Sequence, residues 1–254
     1  MQQWISTLIR EAAGSVVQMT GELPPLAENI RHAPILPPNS TYSPWLTDTY
    51  FQIAMRTVEG NTLLDPLRCY ELWTLVRQSQ KLGRGALLEV GAWRGGSGCI
   101  IAKAADLCGI AERVYLCDTF QGVVKAGAMD TRYKGSEHRA VKAEVEALVH
   151  RMNVFNVEVL SGIFPDETGA ALSDMQFRFA HLDVKVYQST KDALDWLWPR
   201  LIPGGMVVFN DYGTYGCEGV TRLVNELALL DDRIFVHNLN GHGIFTKRDA
   251  KEPV

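Results

Sequence analysis

Apolar positions along the chain keep a helical rhythm up to about residue 84 and a strand-like one beyond it. Helical spacing spans 48–59 and 65–79, the second carried by Leu67, Tyr70, Leu72, Trp73 and Val76. Asp65 followed by Pro66 predicts an N-cap with proline in the first turn. Residues 1–18 are amphipathic, with Trp4, Ile5, Leu8 and Ile9 at helical spacing. Prolines at 24, 25, 34, 37, 38 and 44 predict a loop with short extended pieces over 22–44. From Gly85 onward, short β-like runs fall at 86–90, 114–117, 157–161, 177–182, 206–209, 234–238 and 243–246. The first five alternate with helical or loop stretches, as strands joined by crossovers do, and predict a parallel sheet. Asn240-Gly241 between the last two lets the chain return antiparallel. The expected fold is α/β: a doubly wound, mainly parallel seven-stranded sheet of Rossmann-like type. It is expected to occupy 85–254, with a helical and lid extension over 1–84.

Composition narrows the function classes. The net charge is −4 and no lysine or arginine cluster exceeds a few residues, which disfavours a nucleic-acid partner. No apolar run approaches the ~20 residues of a membrane helix, and 1–18 lacks the layout of a secretory signal. Five cysteines, none in a C-x-x-C pair, fit a reducing compartment. A cytoplasmic protein with no membrane partner is expected.

The first strand run ends in Glu89-Val90-Gly91-Ala92-Trp93-Arg94-Gly95-Gly96 and leads into a helix from about Ser97. A glycine turn at a helix N-terminus lets a ligand approach the backbone closely. A dinucleotide fingerprint requires glycine where Trp93 stands, so a nicotinamide cofactor is the weakest candidate. The spacing Glu89-x-Gly91-x-x-x-Gly95 instead matches a methyltransferase loop that holds the methionine half of S-adenosylmethionine. Asp118 closes the second run, where a carboxylate can accept both ribose hydroxyls. The terminal antiparallel hairpin points to the same class I methyltransferase variant.

Five blocks in order resemble the macrocin O-methyltransferase (TylF/MycF) family. They are Glu89 to Gly96, Cys117-Asp118-Thr119-Phe120-Gln121-Gly122, Gly162-Ile163-Phe164-Pro165, His181-Leu182-Asp183 and Asp211-Tyr212. The resemblance implies S-adenosylmethionine-dependent methylation of a hydroxyl on a small natural-product or sugar-like acceptor, in secondary metabolism. It places Glu89, Gly91, Trp93, Gly95, Asp118, Thr119, Phe120 and Asp183 at the cofactor, with Ser161, Gly162 and Phe164 near its adenine. It also implies a homo-oligomer, dimer or larger, with the proline-rich segment as lid. A protein of the same fold that binds the cofactor without methylating, such as a cyclase-type catalyst or a binding subunit, is the alternative.

The resemblance further implies a magnesium site built from an Asp-x-Asp and an Asp-Asp. Here the first motif reads Asp183-Val184-Lys185 and the second Asn210-Asp211. Asp183, Asn210 and Asp211 are the ligands if a metal is held. An ammonium ~4 Å from a divalent cation in a poorly solvated pocket is strongly repelled. Lys185 is therefore read as taking or flanking the metal position, paired to Asp183 and Asp211, with magnesium not required. Its role stays open among metal surrogate, general base and structural ion pair. His138, whose position matches a segment bordering the acceptor, is the other candidate base, and His181 is read as a satisfied core residue. The catalytic candidates are thus Lys185, His138 and Asp183.

Overall fold

The computed structural model describes residues 42–249. The proline-rich lid and the first amphipathic stretch lie almost wholly outside them. Helix α1 covers Thr49–Thr57 and α2 covers Pro66–Ser79. The remaining elements are β1 (Ala86–Val90), α3 (Gly96–Leu107), β2 (Val114–Asp118), α4 (Lys142–Met152), β3 (Val157–Ser161), β4 (Phe177–Leu182), α5 (Tyr187–Leu197), β5 (Leu201–Phe209), α6 (Glu218–Leu227), β6 (Arg233–Asn238) and β7 (His242–Lys247). The strands form one seven-stranded sheet in the order β3-β2-β1-β4-β5-β7-β6. Pairs among β1 to β5 are parallel, while β7 runs antiparallel to both β5 and β6. This is the expected doubly wound sheet with its terminal hairpin. β5 starts five residues before the expected run at 206, because the chain takes up pairing at Leu201 and then shifts register around Pro203-Gly204-Gly205.

Each central strand is apolar on both sides, as a sheet covered on both faces requires. Leu87, Leu116, Phe179, Val208 and Ile244 face a layer made by α1 to α4. Leu88, Cys117, Ala180, Val207 and Phe245 face the layer of α5 and α6. Phe51 and Val58 on the α1 side, with Leu72, Trp73 and Val76 from α2, are fully or almost fully buried in the first layer. The expected boundary at 84/85 therefore runs through a shared core. The compact unit that contains the sheet begins at Pro44, since α1 and α2 bury their apolar faces against α3. Asp65 caps α2 as expected, its carboxylate accepting the N–H groups of Leu67 and Arg68. Among the described residues no helix is long and apolar enough to cross a membrane. All five cysteines are free.

Candidate active site

A cleft of about 780 Å³, partly open to solvent, lies beyond the carboxyl ends of β1, β2 and β4. That is the topological switch of an open α/β sheet, where such folds bind ligands. One wall is the turn after β1. Gly91 has φ +92°, and a Cβ there would stand 2.2 Å from the Asp183 carbonyl oxygen, so only glycine lets the two strand ends approach this closely. Trp93 (φ +48°) donates its backbone N–H to Asp118 Oδ2 at 2.7 Å, and Phe120 donates its own to Oδ1 at 2.7 Å. Each carboxylate oxygen thus keeps acceptor capacity for a hydroxyl. Burial raises the Asp118 pKa against the pull of these two N–H groups.

Of the residues expected at the cofactor, Gly91, Trp93, Asp118, Thr119, Gly162, Phe164 and Asp183 line the cleft. Gly95 is instead the left-handed N-cap of α3 and packs against Val145. Phe120 and Ser161 lie beside the cleft rather than in its wall. Glu89 is wholly buried on the α2–α3 side of the sheet, where its Oε1 bonds His181 Nδ1 at 2.8 Å across paired strands. His181 Nε2 and Glu89 Oε2 have no partner among the described residues, so His181 is only half satisfied. Leucines 63 and 64, with Asn61 and Thr62, complete the opposite wall; no motif in the sequence singles them out. The Asn61 carbonyl accepts the Gly96 N–H at 3.0 Å and so ties this segment to the start of α3.

At the cleft floor a lattice of charged side chains joins three chain segments. Lys185 Nζ stands 2.6 Å from Asp183 Oδ1 and 2.5 Å from Asp211 Oδ2, all three nearly buried. Asn210 Nδ2 donates to Asp183 Oδ1 at 2.9 Å. Arg68, from the first turn of α2, donates from its NH1 nitrogen to Asn210 Oδ1 at 2.8 Å and reaches Asp211 Oδ1 at 3.4 Å. Burial opposes the Lys185 charge, but the two carboxylates outweigh it and raise its pKa. Burial likewise opposes the Asp183 charge, and Lys185 outweighs it, so the carboxyl stays well below its ordinary range. Both groups are ionised near neutrality, and a base role for Lys185 is disfavoured.

The donor set does not fit a magnesium ion. The point between the two carboxylates is held by an ammonium, a second cation, Arg68, flanks Asp211, and the Asn210 carbonyl is engaged by that arginine. Among the described residues no group of three or more His, Cys, Asp or Glu side chains is arranged to hold a metal. The residues do fit S-adenosylmethionine: a paired acidic strand end and a turn that excludes any Cβ are the features its nucleoside and amino-acid ends require.

His138 lines the same cleft as Lys185. Its ring lies edge-on to Trp93 at 6.3 Å and tilted against Tyr133 at 5.7 Å. Burial, then the Lys185 charge, lowers its pKa below 6.5, so it is neutral and able to take a proton at pH 7.

Comparison with known proteins identifies the family and the fold. The family model described as macrocin-O-methyltransferase (TylF) matches residues 57–242. A tetracenomycin-C rhamnosyl 4'-O-methyltransferase of Streptomyces olivaceus is 32% identical over 177 residues, covering 65% of this chain and 67% of that protein. The mycinamicin III 3''-O-methyltransferase of Micromonospora griseorubida is 28% identical over 183 residues, covering 65% and 69%. Two solved structures share the fold. The O-methyltransferase NovP superposes with a TM-score of 0.65 at 21% identity over 74% of this chain and 83% of that one. A calicheamicin methyltransferase does so with 0.60 at 19% identity over 82% and 95%. With the matched segment running from the end of α1 to the start of β7 and taking in every wall of the cleft, the chain belongs to the macrocin-O-methyltransferase (TylF) family of S-adenosylmethionine-dependent O-methyltransferases.

Proposed function

We propose that the protein methylates a hydroxyl of a small glycosylated or phenolic natural product, in antibiotic-type secondary metabolism, without a metal ion. The observation that carries this reading is the Lys185 ammonium, paired to Asp183 and Asp211 in the wall of a cleft that His138 shares. The relatives are named for 4'-O-methylation of a rhamnosyl tetracenomycin and 3''-O-methylation of mycinamicin III, which supports the acceptor class.

S-adenosylmethionine, when bound, supplies a methyl group activated by its sulfonium. Asp118 would accept the ribose hydroxyls, the turn from Gly91 to Trp93 would take the methionine end, and Gly162 and Phe164 would border the base. Lys185 has three N–H bonds, of which two are directed at carboxylates, and the third is offered to the acceptor oxygen. A buried cation there would stabilise the negative charge that develops as the hydroxyl gives up its proton. His138 would take that proton as the acceptor oxygen receives the methyl group. Asp183 holds the ammonium in place, and the apolar lining from Leu63, Leu64, Val123 and Phe164 excludes water. Association into a homo-oligomer belongs to the same proposal.

The test is turnover of a panel of glycosylated macrolide and anthracycline acceptors with S-adenosylmethionine in excess chelator. Product formed at full rate is expected. Activity lost to chelator and restored by magnesium rejects the metal-free mechanism. Heat on titrating S-adenosylhomocysteine with no product from any acceptor favours the non-methylating alternative.

A further inference from the structure

Arg68 was not marked by any motif, yet it touches both residues at the end of β5 that the metal expectation rests on. Asp65 fixes it from behind: Oδ1 caps the Arg68 backbone N–H at 3.1 Å, and Oδ2 accepts the side-chain Nε–H at 2.7 Å. The guanidinium is thereby aimed across the fold at residues 142 and 143 positions later. A guanidinium has donors and no acceptor, so the group facing it must be the Asn210 oxygen. The amide then turns its nitrogen to Asp183, and the 2.9 Å bond from Nδ2 to Oδ1 is that consequence. An asparagine that could present a carbonyl to a cation presents an N–H instead.

We infer that Arg68 is a positioning residue that keeps this centre metal-free: it turns the Asn210 amide so that the centre loses an oxygen ligand, and it sets a second cation beside Asp211. The inference rests on the metal-free reading above. Arg68, whose Nε is also paired to Asp65, faces the Asp211 oxygen that Lys185 leaves, so each oxygen of Asp211 faces a cation. Of these two cations Lys185 lines the cleft and Arg68 does not, and Arg68 fixes the carboxylate against which that ammonium is set.

The centre can be converted, and the conversion is the test. Mn²⁺ is titrated calorimetrically into the wild-type protein, Lys185→Asp, Arg68→Ala and the double variant Arg68→Ala/Lys185→Asp. The wild type and Arg68→Ala are expected to give no saturable heat. Lys185→Asp is expected to bind Mn²⁺ weakly, since Arg68 still holds the Asn210 oxygen. The double variant is expected to bind about tenfold tighter or more, because a nearby cation is removed and a carbonyl is released. Equal affinity in the single and double variants overturns the inference, as does saturable Mn²⁺ binding by the wild type. A merely structural arginine would not yield a gain in metal affinity when deleted. S-adenosylhomocysteine titrated into each variant reports the fold and the cofactor pocket separately. Should Arg68→Ala fail to bind it, Arg68→Met keeps the aliphatic stem and carries the same comparison. No heat with S-adenosylhomocysteine in the wild type would remove the cofactor reading while leaving the Mn²⁺ result to stand or fall alone.

Discussion

The two ends of the cleft are made in different ways. At the end proposed for the cofactor the backbone does most of the work: Asp118 is held by two main-chain N–H groups, and the turn at Gly91 is shaped by the absence of a side chain. At the end proposed for the acceptor the work is done by side chains from three segments, Arg68, Asp183 with Lys185, and Asn210 with Asp211. A site built from backbone is set by the local strand–turn–helix path and changes little when distant residues change. A lattice of side chains depends on every member, and exchanging one carboxylate for an ammonium alters the chemistry while leaving the fold intact. That contrast explains how the strand–turn–helix frame can hold a centre in which an ammonium stands between two carboxylates.

The sharpest way to break the contrast is to remove the cation. In Lys185→Ala two carboxylates with about a tenth of their surface exposed lose their shared partner. The expected loss is about 10³-fold in kcat/KM together with roughly 3–5 kcal/mol of stability, read from turnover and from denaturant unfolding. The cofactor end should be spared, with S-adenosylhomocysteine affinity within a few-fold. Activity close to wild type would show that Lys185 is only a structural ion pair.

His138 sets the next largest effect. Because burial and Lys185 lower its pKa, it sheds its proton below the ordinary value of 6.5, and kcat/KM should fall only on the acid side of that value. His138→Gln should lose about 10²-fold in kcat and flatten that acid limb. An unchanged limb in the variant would assign the proton to another group.

At the cofactor end, Gly91→Ala should weaken S-adenosylhomocysteine binding by about tenfold or more, since the new Cβ must push Asp183 aside from a backbone with positive φ. The calorimetric titration measures it. Undiminished affinity would place the methionine end elsewhere.

The same contrast governs what the sequence reveals. Strands, caps and the glycine turn are written in neighbouring residues, so β1 to β4 and the Asp65 cap fall where periodicity puts them. Asp118 and Gly91 are legible for that reason. Arg68 is not, because its meaning lies in a partner 142 residues away and α2 around it reads as an ordinary amphipathic helix. The 84/85 boundary misleads for a related reason: the proline-rich stretch suggests a separate extension, whereas α1 and α2 complete the core under the sheet. Glu89 follows the motif's spacing, yet strand parity turns it toward the α2–α3 layer, where it meets His181.

That buried layer offers the smallest effect and the cleanest separation of roles. Glu71 of α2 accepts hydrogen bonds from Asn240 at 2.8 Å and from Asn238 and His242, and so fastens the β6–β7 hairpin to the helix that carries Arg68. Burial opposes its charge, but the bond from His242 and those from the two asparagines outweigh it and hold the pKa below the ordinary 4.5. A carboxyl with a depressed folded pKa contributes stability that is complete above the unfolded value and is lost as pH falls through the folded one. Glu71→Gln should therefore cost about 1–2 kcal/mol at pH 7 by denaturant unfolding, with the gap to wild type closing in acid below pH ~4.5. Cofactor affinity should stay within twofold, because Glu71 lies outside the cleft wall. If turnover instead fell with unchanged stability, the hairpin clamp would have to be counted among the groups that aim Arg68, and the acceptor end would extend one layer deeper than its five side chains.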